Sequence, residues 1–196
     1  MGAKGIIAIE TFAELCRLSH AARVVEAAGV DCARYSAAAS TYAATWQRYA
    51  YTTKGAPHYK MSFNDLPHIP DSWSIKYNLL WQKLNGLGAT APFPFAKIAA
   101  TEIAYYKTKA NAYGFPMDPR HDYVKTDWLS WIAAMAATDT DFHSIMDAIY
   151  ASVNATAARN PFTDLYDTLD ASQTFELDFI ARPVIGGLFA KALLDG

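Results

Sequence analysis

Apolar residues recur every three or four positions over most of the chain, the period of amphipathic helices. Over residues 5–18, Ile6, Ile9, Phe12, Ala13, Cys16 and Leu18 fall mainly on one stripe, and Glu10, Glu14 and Arg17 fall on another. A second helix is expected from an Asp31 N-cap to about Tyr51, carrying Tyr35, Tyr42, Trp46 and Tyr49 at helical spacings. Between them, residues 21–28 read as a short helical turn closed by Gly29. Ser72 is the expected cap of a third helix, running through Leu84 and ended by Asn85-Gly86. A fourth follows Pro92 and Pro94 and reaches about Tyr113, where Gly114 and Pro116 stop it. Thr126 or Asp127 opens a fifth helix to Ala137, Thr138 or Thr140 caps a sixth to about Thr156, and a seventh runs from Pro183 through Leu188 to Leu194. Period-two alternation is confined to residues 174–180. The pattern predicts an all-α fold of about seven helices forming a single domain over residues 1–196.

The spacing of the helices carries the first functional hint. Short links join the first to the second, the third to the fourth and the fifth to the sixth, whereas residues 52–71, 114–125 and 157–182 form long connections. Antiparallel hairpins would bring all three long connections out at one end of the array. Those connections hold a large share of the Asp, Arg, His, Tyr and Pro residues, and loops on a rigid scaffold are where binding and catalysis concentrate.

Composition narrows the partners. The 196 residues include 19 acids and 17 bases, a net charge of −2, with no Lys/Arg run, so a nucleic-acid partner is not expected. At 52% hydrophobic and 14% aromatic the chain can bury a sizeable core. The longest apolar run, residues 132–137, is far too short to span a bilayer. Residues 1–5 enter a helical pattern without the charged, apolar and cleavage regions of a secretory leader, so the expectation is an intracellular chain, a mature one or an excised piece. Cys16 and Cys32 lack C-x-x-C spacing; two buried free thiols are expected, with a bridge across a helix hairpin as the alternative.

Five ordered stretches resemble a known family. They are Lys4-Gly5-Ile6-Ile7-Ala8-Ile9, Ser72-Trp73-Ser74-Ile75-Lys76-Tyr77-Asn78-Leu79-Leu80, Asp118-Pro119-Arg120-His121 with Thr126-Asp127-Trp128, Asn160-Pro161-Phe162-Thr163-Asp164-Leu165-Tyr166-Asp167-Thr168, and Phe179-Ile180-Ala181-Arg182-Pro183-Val184-Ile185-Gly186-Gly187. In that order they resemble the C-terminal part of fungal and bacterial glutaminase A proteins. The resemblance implies an (α/α)6 toroid of six helical hairpins, of which this chain would supply about three and a half. It also implies hydrolysis of the side-chain amide of L-glutamine, generally by secreted enzymes. Asn154-Ala155-Thr156 is a glycosylation acceptor pattern consistent with secretion. A partial toroid would leave apolar hairpin flanks exposed, and a homodimer is the expected way to cover them.

Hydrolysing a carboxamide requires a base to activate water, donors for the oxyanion and an acid for departing ammonia. An amino-acid substrate also needs a cation for its α-carboxylate and an anion for its α-ammonium. Arg120, His121, Asp122, Lys125 and Asp127 fall within eight positions, and Asp164, Tyr166, Asp167 and Arg182 come from the next long connection. Asp127 or Asp164 is the candidate base, His121 a proton carrier, and Arg120 or Arg182 the carboxylate clamp. Lys125, Tyr166, Asp167 and Trp128 complete the candidate substrate contacts. Taken singly, such residues are more often caps and ion-pair partners: Asp127 suits the first turn of a helix, and Asp164 and Asp167 suit turns.

No cofactor is expected. His143 with Asp139 and Asp147 shares one helical face but lacks a second His or an H-E-x-x-H pattern, and a solvated face is the expectation. Gly186-Gly187 is read as close packing rather than an anion cradle. Tyr42, Trp46, Tyr49, Trp128 and Trp131 are read as core, with an aromatic cleft as the alternative. Toroids of this class also carry carbohydrate-active enzymes, which leaves a two-carboxylate glycoside reaction as a further enzymatic reading, and a non-catalytic binding protein as one of another class.

Overall fold

The computed structural model describes residues 2–18, 23, 24, 28–64, 69, 72–158, 162–173 and 179–196. The expected turn over residues 21–28 and the alternation over residues 174–180 fall largely outside them, although Gly29 does adopt the left-handed conformation of a helix stop, at φ +66°. Among the described residues the α-helices are α1 (Gly2–Arg17), α2 (Cys32–Ala50), α3 (Trp81–Leu84), α4 (Phe95–Lys107), α5 (Thr126–Ala134), α6 (Asp139–Ala155) and α7 (Ala190–Asp195). Four strands of two or three residues accompany them: β1 (Tyr51–Thr52), β2 (His58–Tyr59), β3 (Tyr123–Lys125) and β4 (Leu165–Asp167). The chain is all-α with minor pairing. It divides into two compact units, Met1–Tyr51 with Asn78–Phe95, and Thr52–Tyr77 with Ala96–Gly196.

In the first unit α1 packs on α2. Asp31 caps α2 by accepting from the Arg34 amide. The buried Glu10 accepts from Ser36 Oγ at 2.8 Å and lies 3.5 Å from Arg17, so a carboxylate facing the core is paired. Cys16 and Cys32 form a disulfide, which corrects the expectation of free thiols. The core reading of the α2 aromatics is also corrected. Trp46 is buried against Phe93, but Tyr42 and Tyr49 face solvent.

The second unit contains the long connections, laced by backbone hydrogen bonds. Met61 N donates to Ser72 O, Ile75 N to Met117 O, Thr126 N to Asp164 O and Thr168 N to Asp122 O. Ser72 therefore caps no helix. Residues 72–76 run non-helically because their backbone and side chains are committed to neighbours, with Lys76 N donating to Tyr106 Oη at 2.9 Å and Lys76 Nζ to Tyr59 O at 2.8 Å. A 3-10 turn, Tyr77–Leu80, then leads into α3. Helix α4 stops at Lys107 rather than near Tyr113, because Asn111 N turns back to Gly114 O at 2.7 Å and Gly114 takes φ +110°. The seventh helix opens as a 3-10 segment, Pro183–Phe189, before continuing as α7. β3 and β4 pair antiparallel, setting Tyr123, Val124 and Lys125 opposite Asp167, Tyr166 and Leu165. This hairpin-like pair delivers the chain into α5 beside Asp164.

Candidate site around Asp127 and Asp164

Helix α5 starts where β3 ends. Lys125, extended at φ −94° and ψ 130°, flanks the helix, and Asp127 lies in its first turn. Thr126 N donates to Asp164 O, and Asp164 N donates to Phe179 O, both at 2.9 Å. The two carboxylates are thus fixed by the same backbone junction. Both side chains are buried.

Their surroundings differ. Asp164 accepts a bidentate pair from Arg182, Nε at 2.9 Å and Nη2 at 2.6 Å, and lies 2.9 Å from Lys125 Nζ. Burial alone would push its carboxyl up, but the hydrogen bonds and charges of Arg182 and Lys125 outweigh burial and hold it below the ordinary carboxylate range. Asp127 goes the other way. Burial raises it, the nearby charge of Lys125 opposes the rise, and the charge of Asp164 adds to it. Its Oδ1 has no hydrogen-bond partner among the described residues. Two acids whose environments push them apart are the arrangement that acid/base chemistry needs.

Aromatic rings flank the cations. Lys125 Nζ lies 5.6 Å from the ring centres of both Trp128 and Phe179, and the Arg182 guanidinium lies 4.5 Å from Phe179. Tyr77 stacks on Trp128 at 4.0 Å and meets Trp131 at 5.4 Å. The cluster therefore offers two cations, one paired anion, one under-bonded carboxylate and a set of flat apolar faces.

Five of the residues singled out in the sequence, Lys125, Asp127, Trp128, Asp164 and Arg182, meet here. Arg120 and His121 lie in a second group. Asp118 accepts from Arg120 Nε at 2.8 Å and Nη2 at 2.6 Å, and His121 stacks on Tyr123 at 4.8 Å. His121 lines a cavity of about 370 Å³ with Trp73, Lys109, Asn111, Asp118 and Asp122. No hydrogen bond or ion pair among the described residues joins His121 or Arg120 to Asp127 or Asp164. Tyr166 is buried and donates to Tyr113 O at 3.0 Å, with its phenol pushed up by burial. Asp167 accepts from Leu169 N at 2.8 Å in a turn. Asn154 is exposed near the end of α6. His143, Asp139 and Asp147 are exposed, and no group of three His, Cys, Asp or Glu side chains among the described residues is placed to hold a metal ion.

Sequence reasoning missed Tyr77 and Phe179 as site neighbours. It also missed the buried network of Lys76, Glu102 and Tyr106, in which Glu102 Oε1 accepts from Tyr59 N at 2.7 Å and Tyr106 Oη donates to Glu102. The available signal was Lys76 itself, a lone charge in an otherwise uncharged stretch, residues 72–82.

Comparison with known proteins covers nearly the whole chain. The model of the glutaminase A six helical-hairpin domain matches residues 1–192. The chain belongs to this family. The glutaminase A of Aspergillus oryzae is 32% identical over 167 residues, which cover 84% of this chain and 23% of that protein. A probable glutaminase of Arthroderma benhamiae is 28% identical over 217 residues, covering 98% of this chain and 23% of that protein. The chain thus spans about a quarter of the length of these two relatives. No solved structure matches it.

Proposed function

We propose that the chain carries the hydrolytic end of a glutamine amidohydrolase site, with Asp127 as general base and acid. The observation that carries this reading is the unpartnered Oδ1 of a buried Asp127 beside a carboxylate already neutralised by two cations. A water held by Asp127 would attack the side-chain carbonyl carbon of L-glutamine as its proton passes to the carboxylate. The C–N bond of the resulting adduct then breaks, the same proton leaves with ammonia, and glutamate remains. Asp164 orients Lys125 and Arg182, whose positive charges suit the substrate α-carboxylate or the oxyanion. Trp128 and Tyr77 supply apolar faces for the methylene chain. Arg120, paired with Asp118, and His121, on its own cavity, have no step in this mechanism. Secretion is supported by the Cys16–Cys32 disulfide and by the exposed Asn154 acceptor pattern.

Ammonia release from L-glutamine, with L-asparagine as control, tests the reading on the purified chain. Asp127→Asn is expected to reduce turnover at least about 100-fold while retaining the helical circular dichroism spectrum. Because Asp127 is raised in the folded state, its ionisation opposes folding. Wild type should lose stability relative to Asp127→Asn as pH rises from the unfolded value of 3.8 through the folded one. Unchanged turnover in the variant, or no turnover by the folded wild-type chain, refutes the assignment. A binding role is the second reading, favoured by the burial of both carboxylates, and calorimetric titration with L-glutamine separates it from catalysis.

A further inference from the structure

The 3-10 segment Pro183–Phe189 and the residue before it reach both acids. Its flanking residue Arg182 grips Asp164, and five positions later Gly187 lies against α5. A Cβ built on Gly187 would stand 2.8 Å from Trp131 Nε1, 2.9 Å from Asp127 Cβ and 3.1 Å from Asp127 Cα. The last of these atoms is backbone and cannot swing away. Gly187 is not among the positive-φ glycines, so space rather than backbone conformation excludes a side chain there. Its neighbour Gly186 has nothing within 4 Å of the equivalent position. The pair read in the sequence as close packing is therefore two different glycines, one spare and one required.

We infer that Gly187 is a positioning residue for Asp127: it lets the strap that holds Asp164 close directly over the first turn of α5, fixing the Asp127 carboxylate relative to Lys125 and Asp164. Its functional meaning rests on the assignment of Asp127 above, but the geometry can be tested without it. An added methyl must lift the strap from α5, which admits water to Asp127 and relieves its burial.

The test compares Gly187→Ala with Gly186→Ala in the 196-residue chain, using the 13C carboxyl resonance of Asp127, assigned by its loss in Asp127→Asn. Gly187→Ala should move the titration midpoint of that carboxyl down toward the ordinary range, and Gly186→Ala should leave it in place. In the ammonia assay Gly187→Ala should lower kcat by about tenfold or more with KM within about twofold, since a small misplacement of a reacting group is costly to rate. A lower melting temperature with an unmoved Asp127 titration would reduce Gly187 to a packing residue and overturn the inference, as would an equal shift in Gly186→Ala. If Gly187→Ala does not fold, the double variant Gly187→Ala/Trp131→Phe removes the nearest atom while keeping the Asp127 backbone contact. That variant should fold with a displaced Asp127 midpoint, and a wild-type midpoint in it overturns the inference. A wild-type chain inactive on glutamine would sink the amidohydrolase reading alone, because the titration still reports the geometry.

Discussion

Replacing Arg182 by Met asks how much the ion cluster contributes to the fold. The guanidinium makes two bonds of 2.9 and 2.6 Å to a carboxylate whose side chain is only 2% exposed. Removing one partner of a fully buried pair costs about 3–5 kcal/mol. Arg182 is itself 35% exposed and Lys125 still lies 2.9 Å from Asp164, which brings the expectation down to about 2 kcal/mol. The lost cation contact with Phe179 is worth about 0.5–1 kcal/mol, much of it recovered by Met packing on the ring. Urea unfolding as a function of pH is the assay. Asp164 titrates lower folded than unfolded, so its stabilisation is complete above the unfolded value of 3.8 and disappears as pH falls through the folded value. The difference between wild type and Arg182→Met should therefore be largest at neutral pH and shrink in acid. A double-mutant cycle with Asp164→Asn should return most of the loss as coupling. A deficit below about 0.5 kcal/mol at neutral pH, or one that persists undiminished in acid, refutes the ion-pair accounting.

The disulfide and the exposed face of the first unit give two further expectations. The bridge spans 16 positions, a loop for which cross-linking is worth about 3 kcal/mol, so Cys16→Ser/Cys32→Ser should lose a comparable amount of stability and melt at a lower temperature. A melting temperature within about 1 °C of wild type under non-reducing conditions would return the cysteines to free thiols. On α2, Tyr35, Tyr42 and Tyr49 are exposed at seven-residue spacing, and Phe12 packs against Tyr35 at 4.8 Å while itself half exposed. Sedimentation is expected to show concentration-dependent self-association that Tyr42→Glu weakens, and a strictly monomeric wild-type chain would exclude it.

Periodicity located α1, α2, α5 and α6 because each buries one stripe, and at α2 and α6 local chemistry also marks the start. Asp31 and Thr138 cap as read, each accepting from an amide three residues on. Residues 72–76 depart from the expected helix because, although Ser72 has the chemistry of a cap, Trp73 and Ile75 alternate and are buried, and Lys76 commits its polar groups to Tyr106 and Tyr59. No local rule sees such long-range partners. β3 and β4 are three residues each, too short for a period-two signal, yet their register brings Lys125 to Asp164 across 39 positions. The candidate site was thus legible as a set of residue types in long connections. The division into one group at Asp127 and another at His121 was not, because it depends on that pairing.

The treatment of buried acids argues that the junction is more than structural cement. Five carboxylates are buried among the described residues: Glu10, Glu102, Asp118, Asp127 and Asp164. Glu10 is met by Ser36 and Arg17, Glu102 by Tyr59, Tyr106 and Lys76, Asp118 by Arg120, and Asp164 by Arg182 and Lys125. The fold therefore has the means to satisfy a buried acid and uses them four times. Asp127, with Lys125 and Asp164 close enough to shift its titration and the amides of its own helix start as hydrogen-bond donors, has no partner at Oδ1 among the described residues. A buried acceptor left without a partner costs about 1–3 kcal/mol, so Oδ1 calls for a partner beyond the described protein atoms, and in the proposed mechanism that partner is the attacking water. The same under-bonded oxygen is what a water-activating base requires before substrate arrives, and Gly187 keeps the strap close enough to hold it there.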